Sequence, residues 1–62
     1  MHLTIKEQAE MRRMGYTAKA AYKNAKGIPF HKYFRDKAEM DKFTEKAEEA
    51  GSKLTAWAER GE

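Results

Sequence analysis

No cysteine occurs in the chain, and at 62 residues that absence constrains the fold more than any other feature. A chain this short buries only ~60% of the surface its unfolded form exposes, and the hydrophobic gain barely exceeds the ~1.5 kcal/mol of conformational entropy lost per ordered residue. With no disulfide to restrict the unfolded chain, a thin apolar core must hold the fold, or a second molecule must cover it. The same absence removes thiolate chemistry and zinc-finger spacing and fits a reducing compartment, so a cytoplasmic location is expected. The amino-terminal MHLTIKEQAE lacks the basic and apolar regions of a signal peptide, and no apolar run approaches a span, so no membrane association is expected.

Charged residues make up 37% of the chain, yet the 40% hydrophobic share includes Trp57, three tyrosines and three phenylalanines, more large apolar groups than a disordered chain carries. The net charge of +3 is unevenly spread. Residues 1–35 hold eight Lys or Arg against Glu7 and Glu10, a net +6, whereas residues 36–62 hold five basic against eight acidic groups, a net −3. Such a chain can offer a basic face to a polyanion, or pair its basic half with the acidic half of a second copy in a homodimer.

Local signals favour helices. Thr4 and Glu7 in TIKE form a capping box, so a helix is expected from Ile5. Met11, Met14, Ala18, Ala21 and Ala25 continue at helical spacing. Gly15 either ends this helix after Arg12 and Arg13, with Thr17 capping the next, or sits inside one helix reaching Lys26 at a cost of ~1 kcal/mol. Gly27 and Pro29 mark a break, read as a helix-ending glycine and a proline in the first turn of a new helix. Beyond it, Tyr33, Met40, Ala47 and Leu54 fall at one heptad position and Phe43, Ala50 and Trp57 at another, interrupted by Asp36 and by Gly51-Ser52, where the helix can end and a short one begin. Lys37 to Asp41 and Glu49 to Lys53 are candidate i,i+4 pairs. Val is absent and no alternating run stands out, so no strand is expected, and the end is expected to fray after Arg60. The expected fold is therefore all-α: one small three-helix domain over 1–62 with a long carboxy-terminal helix. The alternative is a hairpin of two helices, about 4–26 and 29–60, dimerising into a bundle.

Catalytic equipment is missing. The only serine is Ser52, and neither His2 nor His31 has the neighbours of a nucleophile or metal site; the four glycines stand apart and form no phosphate loop. A non-enzymatic protein is expected, with no cofactor and no metal.

Ala20 and Ala21, then Gly27 and Ile28, then Tyr33 and Phe34 come in the order of a short Ala-rich helix, a turn and a packed second helix. Over residues 3–37 this resembles the helix-turn-helix DNA-binding domains, in which the second helix reads bases with its early residues. The resemblance implies phosphate or base contacts from Thr17, Lys19, Lys23, His31, Lys32 and Arg35, and the basic clustering adds Arg12 and Arg13. Met11, Met14, Ile28, Phe30, Tyr33, Phe34, Met40, Phe43, Leu54 and Trp57 form the expected core or partner seam. Two functions are compatible with these features: a small regulatory nucleic-acid-binding protein, with DNA ranked ahead of RNA, or a phage-like helical protein that binds and inhibits or modulates a host protein. The first ranks ahead, because charge segregation and the turn-flanked helix agree.

Overall fold

Ala18, Ala20 and Tyr22 are all essentially inaccessible to solvent, at 0%, 0% and 1% exposure, while the residues between them are not. That alternation belongs to a strand with one face in a core. The computed structural model describes residues 1–61 and contains α1 (Ile5–Met14), β1 (Ala18–Lys23), β2 (Pro29–Phe34), α2 (Lys37–Glu49) and β3 (Lys53–Glu59). The architecture mixes two helices with a three-stranded antiparallel sheet of order β2-β1-β3, so the all-α expectation and the dimerising two-helix hairpin are both corrected.

α1 begins where the TIKE pattern predicts. Thr4 is extended and its hydroxyl oxygen accepts the Glu7 N–H at 3.0 Å. The helix ends at Gly15, whose φ of 82° is open to glycine at little cost, just after Arg12 and Arg13. The next element is a strand, not a second helix. A helix over 18–26 would bury a stripe of alanine methyls, whereas a strand sets Tyr22 against Phe30, with ring centroids 5.2 Å apart, and encloses Phe34. Full burial of one phenylalanine is worth ~1.5 to 3 kcal/mol, so packing overrides the helical preference of alanine. The resemblance to helix-turn-helix domains fails with it: Gly27 and Ile28 belong to a β-hairpin turn, and His31 and Lys32 lie on β2. Pro29 opens an outer strand, where its missing N–H is tolerated.

Asp36, the flaw in the heptad pattern, is the cap of α2, accepting the Glu39 N–H on Oδ1 at 2.8 Å. α2 stops before Gly51, where φ is 93°, so Tyr33, Leu54 and Trp57 lie outside it. The Lys37–Asp41 pair forms at 3.2 Å; Lys53 lies in β3 and makes no i,i+4 helical pair with Glu49.

β2 and β3 flank β1 and both run opposite to it, so α2 carries the chain across one face of the sheet. Ala18, Ala20, Tyr22, Phe34 and Met40 are the buried centre of that layer, with Phe30, Phe43 and Leu54 half-buried around it. Tyr22 shares a 2.7 Å hydrogen bond with Thr44 of α2. β3 keeps the register Ala21 to Ala56 and Tyr22 to Leu54, which leaves Thr55 as an extra residue. This bulge lets Leu54 and Trp57, three apart, point to the same face. α1 lies against the opposite face and buries Leu3 and Met11. Arg60 N–H donates to the Thr17 carbonyl at 2.9 Å and Gly61 N–H to Gln8 Oε1 at 3.0 Å, so the chain stays tied through Gly61, and Glu62 lies outside the described residues. Of the expected seam, Met14, Ile28, Tyr33 and Trp57 are exposed rather than core. No helix among the described residues is long and apolar enough to cross a membrane.

Candidate functional site

The face of the sheet turned away from α2 carries three cross-strand rows. Ala58, Lys19 and Tyr33 form the first, Ala56, Ala21 and His31 the second, and Lys53, Lys23 and Pro29 the third. α1 occupies the first. The Glu7 carboxylate accepts hydrogen bonds from Lys19 Nζ and, at 2.8 Å, from the Tyr33 hydroxyl, and the Lys19 ammonium also sits 5.5 Å from the Tyr33 ring centre. The Lys19 bond, with the Tyr33 bond second, holds the Glu7 carboxyl below its ordinary range. The Glu7 bond pushes Lys19 and Tyr33 up. Each shift favours the form that keeps the contact, so this network is a clasp holding α1 to the sheet.

The third row is different. Lys23 and Lys53 are direct cross-strand partners on adjacent strands, both exposed, and among the described residues neither is paired with a carboxylate. Like charges directly opposite in an antiparallel pair are destabilising. Lys26 lies in the hairpin turn just beyond Lys23 and is exposed. That turn is held by its own bonds: Asn24 Oδ1 accepts from Lys26 N and Ile28 N at 2.9 and 3.0 Å, and Gly27, with φ 81°, donates to the Asn24 carbonyl. The cations at this end of the sheet thus stand on fixed backbone. His31 stands in the second row on outer strand β2 and is exposed. On the other side, α2 bears Glu39, Asp41, Glu45, Glu48 and Glu49 interleaved with Lys37, Lys42 and Lys46, with Asp36 at its cap.

The eight residues expected to touch nucleic acid are not gathered on one surface. Arg12 donates to the Gly61 carbonyl at 3.0 Å, Arg13 pairs with Glu10 at 2.9 Å, and Thr17 donates to the Arg35 carbonyl at 2.8 Å. Lys19 is engaged by Glu7, Arg35 lies 5.8 Å from the Tyr16 ring centre, and Lys32 is on the α2 face, 4.9 Å from the Phe43 ring centre. Only Lys23 and His31 share the open rows. Lys53, which completes the cluster, sits in the half of the chain that reads as acidic, and only the strand register brings it to Lys23.

A separate groove of about 420 Å³ runs between α1 and β2, walled by Met11, Met14, Tyr16 and Tyr33 with Glu7, Glu10 and Lys6 among its lining residues. Tyr16 and Tyr33 stack there at 5.7 Å. No protein-family model, no curated protein and no solved structure matches the chain.

Proposed function

We propose that the protein binds nucleic acid through the α2-free face of its sheet, with Lys23, Lys26 and Lys53 contacting phosphates and His31 beside them. The observation that carries this reading is the unneutralised Lys23–Lys53 pair. Two adjacent ammonium groups on paired strands raise each other's free energy, and a bound phosphate relieves that repulsion while releasing its own counterions. α2 carries five acidic residues against Lys37, Lys42 and Lys46, so it attracts a polyanion less than the lysine row does. Three such contacts give the modest affinity typical of non-specific binding, roughly 10⁻⁴ to 10⁻⁶ M, and a log–log salt slope of about −2.7 for three phosphates. Titration of a fluorescent oligonucleotide at several salt concentrations tests this. Binding that strengthens as salt is lowered, and loses about two units of slope in a Lys23→Gln, Lys53→Gln double variant, supports the reading. Absence of binding at low salt, or the same slope in the double variant, sinks it.

A second reading draws on the groove beside α1. Exposed Met14 and the stacked tyrosines there can seat an apolar side chain of a protein partner, methionine being an adaptable contact. Met14→Lys, which fills this groove with charge and leaves the lysine cluster intact, should abolish such an interaction and leave nucleic-acid binding in place.

A further inference from the structure

The lysine cluster has a shape as well as a charge, and the shape restricts the ligand. We infer that the ligand is B-form duplex DNA, entered from its major groove by the hairpin end of the sheet; this rests on the nucleic-acid reading above and narrows it. Three observations lead there.

The first concerns stacking. Single-stranded nucleic acid is held by aromatic rings on which bases stack, set in a basic groove. The chain has seven aromatic residues, and none faces the lysine row. Tyr22 and Phe34 are buried, Phe30 stacks on Tyr22 in the α2 layer, and Phe43 belongs to α2 itself. Trp57 is on the α2 side too, with Lys37 Nζ 5.2 Å from its ring centre. Tyr16 and Tyr33 stack on each other, and the Tyr33 hydroxyl is committed to Glu7. A splayed base would find charge at this site and, apart from the small His31 imidazole, no platform.

The second concerns width. Strands lie ~4.8 Å apart, so the row Lys53–Lys23–Pro29 spans ~10 Å between its outer strands. The B-form major groove is ~12 Å wide and admits a two-stranded ribbon, here the β1–β2 hairpin with Lys53 of β3 at its edge, whereas the minor groove, at ~6 Å, does not. In A-form RNA the major groove is deep and narrow and side chains cannot reach its floor. The flanking residues help: Pro29 is a flat ring without a donor, and Ala21 and Ala56 of the second row are short. Between the lysine row and α1, His31 is the one long side chain of the second row, and Ile28 projects from the turn.

The third concerns rigidity. The cations stand on paired strands and a turn closed by Asn24, and Ala25 of that turn abuts Gly51, where an added Cβ would lie 3.1 Å from the Ala25 Cβ. The hairpin end is therefore anchored to the start of β3, and a pre-shaped surface matches a duplex better than a flexible strand. Within the groove, Lys23 and Lys53 would reach phosphates or guanine O6 and N7, and His31, on the outer strand, a base-edge acceptor.

The test is competition binding on the full chain at one low salt concentration. Four probes are used: a DNA duplex, an RNA duplex of the same sequence and length, the corresponding single DNA strand, and heparin. The DNA duplex should win over the RNA duplex and the single strand by roughly tenfold or more. Bulky substituents at pyrimidine C5, which fill the major groove, should remove that preference, whereas the minor-groove ligand netropsin should leave it unchanged. His31→Ala, an exposed substitution, should narrow the gap between DNA and RNA duplexes, while Lys42→Gln on α2 should leave every affinity unchanged. Equal binding to all four probes, or displacement by netropsin with indifference to the C5 groups, overturns the groove assignment and leaves polyanion binding standing. No binding to any probe overturns both.

Discussion

Lys53 illustrates how one side chain can be a liability for folding and an asset for binding. Facing Lys23 across a strand pair, it costs the native state a fraction of the ~0.2 to 1 kcal/mol that such pairs are worth. Lys53→Gln removes the repulsion without adding bulk. We expect the variant to be more stable than the parent by ~0.5 kcal/mol, read as a shift of the denaturant midpoint at unchanged m-value, and to bind nucleic acid with a salt slope shallower by ~0.9. A variant that lost stability would mean the Lys53 stem packs more than its charge repels. Arg35 and Lys32 show the complementary lesson: residues expected to contact nucleic acid are occupied, one over the Tyr16 ring and the other over Phe43.

At the scale of elements, α1 is held to the sheet by little buried apolar surface, mainly Leu3 and Met11, so the Glu7–Lys19–Tyr33 network bears much of its attachment. Because the Glu7 carboxyl is held below the ordinary 4.5, its contribution is complete above that pH and is lost as pH falls through the lowered value. Lys19 and Tyr33 are raised above 10.5 and 10.0, so theirs is complete below those values and is lost as pH rises through the raised ones. Hydrogen exchange of the α1 amides should therefore be slowest between about pH 4.5 and 10 after correction for intrinsic rates, and Glu7→Gln should speed it and flatten the acid limb. β3 supplies a second test. Its bulge at Thr55 is what allows Leu54 and Trp57, three apart, to share the α2 layer, and deleting Thr55 together with Ala56 makes them adjacent and forces one of them to the other face. That should cost ~1 to 3 kcal/mol by loss of burial, measured by chemical unfolding.

The same elements explain which parts of the fold are legible in the sequence. Caps are local, and so the start of α1 at Thr4 and its end at Gly15 can be read directly from neighbouring residues. The Asp36–Glu39 cap is equally local, but a heptad pattern running through it hides it. Three things mask the strands: alanines at the buried positions of β1, Lys32 at an inward position of β2, and a three-residue spacing in β3 that imitates a helical period and is in fact a bulge. Two lysines thirty positions apart become neighbours only through strand register, which no local pattern encodes, so the Lys53 part of the candidate site is out of reach of the sequence alone.

For the whole molecule, the decisive quantity is how little stability there is to spare. A single core in a chain this short rarely supplies more than ~3 to 5 kcal/mol, and Phe34 is wholly buried at the centre of that core. Phe34→Ala removes ~3 to 5 kcal/mol, so the variant should be largely unfolded at room temperature by circular dichroism, while exposed variants such as Lys42→Gln remain folded. Any ligand that binds only the folded chain must then act on folding. Duplex DNA at a hundredfold excess over its Kd adds ~2.7 kcal/mol to the native state. In a domain of this size each kcal/mol moves Tm by ~4 to 8 °C, so the parent protein should melt more than ~10 °C higher with saturating duplex, and the gain should shrink as salt is raised. Partial return of helical and strand signal in Phe34→Ala on adding the same duplex would result from the same linkage. If the duplex left both the melting temperature of the parent and the spectrum of the variant unmoved at low salt, the folded sheet would have no differential affinity for it, and the lysine row would have to be explained without a polyanion.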